Sequence, residues 1–123
     1  MRAGLAPRPL TSNEKALLGW LLENGLPEAR SFYPQIEKIR ATRGCDCGCP
    51  SITLIVDEHA PLGASPNRII SDFLGETDKG NEVGLILFED HGKLSDLEVY
   101  SMADIEGEWG FPILDSLRKC EWS

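Results

Sequence analysis

The sequence predicts an α+β fold, with N-terminal helices packed on one face of an antiparallel β-meander of about four to five strands. Three observations carry this reading. Leu17, Leu18, Leu21 and Leu22 recur at helical spacing near the start of the chain. After Ser51 the pattern changes to short runs rich in β-branched and apolar residues. Gly, Asn and Asp clusters separate those runs and mark turns. No segment repeats at a fixed period and no low-complexity stretch divides the chain. Residues 1–123 therefore read as one domain, with an extended leader over 1–10 and an irregular tail over 102–123 packed back on the sheet.

Thr11-Ser12-Asn13-Glu14 matches a capping box, in which the Thr hydroxyl takes a backbone N–H and Glu14 reaches back. The helix spans 12–24 and stops at Asn24-Gly25, where glycine is expected to take the left-handed conformation. Pro27 suits a first helical turn, so Ala29 to Tyr33 reads as helical, with Pro34 bending or ending it. Phe32, Ile36 and Ile39 bury against the first helix. Lys38 to Arg43 alternates, as an edge strand with its basic residues outward does.

Ser51 to Val56 is a strand and residues 57–66 are a loop. Arg68 to Gly75 is a further strand, whose register Asp72 leaves open, and residues 77–81 form a turn. Glu82 to Phe88 is nearly continuous apolar, the pattern of a central strand with both faces at least partly covered. Gly84 within it marks a bulge or close packing. Asp90-His91-Gly92-Lys93 is a hairpin turn. The strand from Leu94 to Ser101 puts Leu97 and Val99 on one face and Asp96 and Glu98 on the other. In the tail, Trp109, Phe111, Ile113, Leu114 and Leu117 pack back on the sheet, with a short helix near Ile113 to Arg118.

Hydrophobic residues at 41% and charged residues at 26% are ordinary for a globular protein. No apolar run approaches the ~18 residues of a membrane span. The basic N-terminus lacks the apolar core of a secretory signal, so the expected compartment is the cytoplasm. The net charge of −8 argues against general nucleic-acid binding, which needs cations at phosphates. Charge is uneven: residues 1–44 carry +3 and residues 45–123 carry −11. The acidic part is either a solvated surface or a face that attracts a basic partner.

Cys45, Cys47 and Cys49 stand at two-residue spacing in Gly44-Cys45-Asp46-Cys47-Gly48-Cys49-Pro50-Ser51. On a regular strand all three thiols would share a face, whereas Gly44, Gly48 and Pro50 favour an irregular loop that can gather three sulfurs around one ion. Thiolates suit zinc or Cu(I), with Cys120, His59 or His91 as a fourth ligand. The spacing differs from the paired knuckles of structural zinc sites. The competing readings are thiols packed as small hydrophobes and thiols sensitive to oxidation. A Cys45–Cys47 disulfide would close a very small ring in a reducing compartment, which disfavours it. There is no phosphate-binding glycine loop, no G-x-S-x-G and no H-E-x-x-H.

Three segments resemble a family of small bacterial proteins of unknown function. They are Arg8-Pro9-Leu10-Thr11 with the Leu-rich helix ending at Gly25, the element from Cys45 to Ile52, and Gly84 to Phe88 with Gly92 to Tyr100. The resemblance implies a bacterial source and a stand-alone domain, and it brings no catalytic residue. The leading functional expectation is a non-catalytic cytoplasmic module that presents Asp96 and Glu98 to a basic protein, as an adaptor or toxin-neutralising protein does. The alternative is a zinc or Cu(I)/thiol site at Cys45–Cys49 with a structural or sensing role. An enzyme is the third reading, and needs His59 or His91 within reach of a cysteine in a pocket.

Overall fold

The computed structural model describes residues 6–44, 48–64, 68–101 and 103–119. It is an α+β arrangement in which the helical segments precede most of the strands. The strands are β1 (Arg8–Pro9), β2 (Ile39–Arg43), β3 (Ile52–Val56), β4 (Ile69–Glu76), β5 (Glu82–Asp90), β6 (Lys93–Ser101) and β7 (Arg118–Lys119). They form one seven-stranded antiparallel sheet in the order β1-β2-β3-β6-β5-β4-β7. That is more strands than the sequence suggests, because the leader and the tail each add a two-residue strand to an edge. The order is also not one continuous meander: a β2–β3 hairpin is joined to a β4–β5–β6 meander through β3 and β6.

Helix α1 (Ser12–Asn24) begins as the sequence predicts, with Thr11 and Glu14 closing a capping box. Its end differs. Gly25 has φ −83°, an ordinary value, so the left-handed cap is absent. Glycine is needed there for space, since a Cβ would lie 2.1 Å from Ser71 Oγ and 2.4 Å from Ile70 O. Pro34 does not end the second helical segment either. A continuous 3-10 run spans Pro27–Lys38; its buried residues are Ala29, Phe32, Gln35 and Ile36, the first three recurring every third position. Three residues per turn puts Ala29, Phe32 and Gln35 on one ridge, and the run continues through Pro34 without the hydrogen bond that residue cannot donate.

The alternating basic segment is β2, which is not a bare edge: β1 pairs with it at Arg40 and Ala41. On the other side of the sheet β4 is covered piecewise. Leu26 N donates to Ile70 O, Leu74 pairs with Arg118, and Glu76 N donates to Ser116 Oγ. The tail holds a short 3-10 turn at Leu114–Ser116 before β7. Covered edges leave few backbone groups to template a second chain.

The core lies between the helical layer and one sheet face. Leu17, Leu18, Leu21 and Leu22 meet Ile39, Ala41, Ile52, Leu54, Phe73, Val83, Leu85, Leu87, Leu97 and Val99. A bulge between Ile69 and Ser71 turns Ile70 inward, where it is fully buried. Gln35, also fully buried, joins the layers: Nε2 donates to Pro61 O (2.9 Å) and Gly92 O (2.8 Å), and Oε1 accepts from Leu94 N (3.0 Å). His91 and Gly92 both have positive φ, at 52° and 87°, and make the tight β5–β6 turn. Among the described residues no helix is long and apolar enough to cross a membrane.

Candidate functional site

The strand register sorts side chains between the two faces of the sheet. Val83, Leu85 and Leu87 of β5 pair with Ser101, Val99 and Leu97 of β6 and point to the helices. The alternate positions form the outer face. There Ile86 stands opposite Glu98 on one side and Asp72 on the other, and Phe88 stands opposite Asp96. Thr53 continues the Asp96 row into β3. Ile86, Phe88 and Asp96 are half-buried and Glu98 is exposed. Asp96 and Glu98 thus lie on one face, as the sequence predicts, and neither side chain has a hydrogen bond or ion pair among the described residues.

Gly84 fits this face by close packing. It is opposite Tyr100, and a Cβ at Gly84 would lie 2.1 Å from the Tyr100 ring. Two cations reach the outer surface from its margins. Arg118 pairs with Glu82, and the Arg68 guanidinium sits 5.5 Å from the Phe88 ring centroid. The sequence pattern of Glu82–Phe88 predicts a central strand with both faces at least partly covered, and so it is: the helices cover one face, and Ile86 and Phe88 are half-buried on the other, flanked by acids.

A second feature is a cleft of about 360 Å³ where β1 and β2 meet the segments after Gly48 and around Trp109. Its floor is the Arg8–Glu14 pair, with Arg8 Nη1 and Nη2 donating to the two carboxylate oxygens at 2.9 and 2.8 Å. Burial pushes the Glu14 carboxyl up, but the Arg8 hydrogen bonds, the Thr11 N–H and hydroxyl and the Arg8 charge together hold it below the usual carboxylate range. Trp109 N donates to Gly48 O at 3.1 Å, so two loops cross at the cleft wall. Cys49 is half-buried in that wall, its Sγ 3.4 Å from Ser51 Oγ.

Compared with family models, curated proteins and solved structures, the chain matches none. Geometry alone must therefore separate the candidates. Cys45, Cys47 and Cys120 lie outside the described residues. His59 sits in an exposed turn beside Glu58, and its N–H donates to Asp57. His91 is exposed at the hairpin tip, 2.8 Å from Asp90. The described lining of the cleft contains no histidine. Among the described residues no group of three His, Cys, Asp or Glu side chains is placed to hold a metal ion.

Proposed function

We propose that this protein is a non-catalytic binding module whose outer sheet face takes a basic protein segment, in the manner of an adaptor or toxin-neutralising protein. One observation supports it above the others: Ile86 and Phe88 stand away from the helical layer, directly opposite Glu98 and Asp96, acids with no cation partner among the described residues. Apolar centre and charged margin are the usual anatomy of a docking surface. The net charge of −8 adds long-range attraction for a basic partner. A randomised peptide library selected on the immobilised protein should yield sequences rich in Lys, Arg and apolar residues. Their binding should weaken at moderate salt and drop about tenfold or more in the Asp96→Lys/Glu98→Lys double variant. Binders with no basic bias, or binding that the double variant retains, would sink the reading.

A second reading has its own support in Cys49, which lines the cleft wall. In it, Cys49 joins Cys45 and Cys47, with Cys120 or His59, around zinc or Cu(I), or acts as a sensing thiol. Mass spectrometry of protein purified without chelator, with a thiol count before and after unfolding, decides this. About one metal ion per chain, with thiols protected until chelation, supports the site. No metal, with thiols released only on unfolding, makes them packing residues.

A further inference from the structure

We propose that the occupant of the outer face is a basic amphipathic α-helix of a partner protein, laid along β5 over Ile86 and Phe88 with its cations toward Asp96 and Glu98. The inference rests on the docking reading above and adds the partner's conformation and register.

Conformation follows from the backbone. β5 is paired along its length with β4 on one side and β6 on the other. An occupant of the face therefore meets side chains and finds no ladder to join. An extended segment would press its own unpaired N–H and C=O groups onto Ile86 and Phe88, whereas a helix arrives with them satisfied. The opposite face of the same sheet is already covered by α1 and the 3-10 run. A helix on the outer face would complete a three-layer arrangement.

Register follows from spacing. Asp96 and Glu98 are two residues apart on one strand, about 6.8 Å, and Ile86 and Phe88 repeat that interval on the neighbouring strand about 4.8 Å away. A helix advances about 6 Å between i and i+4, and its adjacent rows stand about 5–6 Å apart. An apolar i, i+4 pair can sit over Ile86 and Phe88 while Lys or Arg in the next row meets both acids. The Phe88 ring already accepts Arg68 from its own chain. A second copy of this chain is a poor occupant, because each carries −8 and both would present acids.

The test uses three synthetic peptides of one length: an alanine-based helix with a Leu stripe flanked by Lys, its Lys-to-Glu counterpart, and a counterpart with two central prolines. Amide NMR titration reads which residues respond. The Lys helix is expected to shift Ile86, Phe88, Asp96, Glu98 and Tyr100. The acidic and proline peptides should bind at least about tenfold more weakly, as should the Asp96→Lys/Glu98→Lys double variant. Glu98→Gln, a milder change, should weaken binding by a smaller factor. Shifts confined to another surface, or an equal response to the proline peptide, overturn the proposal. Library-selected binders that need Asp96 and Glu98 yet stay non-helical would defeat the helix and leave the docking reading standing. A dimer in sedimentation that Phe88→Lys abolishes would assign the face to a second copy and overturn it too.

Discussion

Glu14 does two jobs at one position. It closes the helix capping box through Thr11 N (2.8 Å) and holds Arg8, the strand residue paired with Ala41. Its side chain is 6% exposed while that of Arg8 is 45% exposed, so solvent screens the pair and its contribution is at most about 1 kcal/mol. Because the folded carboxyl lies below the usual value of about 4.3, its contribution is complete above that pH and disappears as pH falls through the folded value. Glu14→Gln keeps the box geometry but removes the charge. Thermal melts across pH should therefore show a Tm deficit for the variant at neutral pH that shrinks below about pH 4. A deficit independent of pH would mean that the ion pair contributes nothing. The capping box was legible in the sequence because it needs only residues three apart, whereas the Arg8 partner depends on the leader folding back as a strand.

At the scale of elements, the junction between α1 and β4 turns on Gly25. A left-handed cap would tolerate Asn, but here the obstacle is Ser71 Oγ and the Ile70 carbonyl. Gly25→Asn and Gly25→Ala should both destabilise by about 1–3 kcal/mol in denaturant unfolding, despite the ordinary φ of this residue. Near-neutral behaviour of the Asn variant alone would restore the left-handed reading. The second helical segment teaches a similar lesson. Pro34 does not end it, and the three-residue period of Ala29, Phe32 and Gln35 is the signal for a 3-10 ridge. Asp96 and Glu98 were assignable to one face from alternation alone, a strictly local property of strands.

For the whole molecule, the weak seam is where β3 meets β6, with only Ile52↔Leu97 and Thr53↔Asp96 in register. Extending that register brings Pro50 opposite Val99, and proline has no N–H to offer the ladder. The Ser51 hydroxyl stands in, accepting from Val99 N (2.8 Å) and donating to Val99 O (3.2 Å). Ser51→Ala should cost about 1–3 kcal/mol by leaving both groups unpaired. Hydrogen exchange should then speed up at Val99 and along β3 before it does in β4 and β5. Uniform loss of protection would show instead that the seam does not open separately. Cys49 leans on the same hydroxyl, so the seam and the cysteine cleft are coupled through one side chain.

Helix 12–24, the hairpin at Asp90–Lys93, the α+β class and the sidedness of Asp96 and Glu98 all follow from capping, periodicity and turn chemistry within a few residues, and so could be read from the chain directly. The adjacency of β3 and β6, the three bonds of Gln35 and the position of Ile86 and Phe88 outside the helical layer could not. Ser51 and Val99 meet across 48 residues, and Gln35 and Leu94 across 59. Local propensity carries no record of which distant strand supplies a partner. The packed tertiary structure alone decides which apolar residues the helices cover and which stand on the opposite face of the sheet.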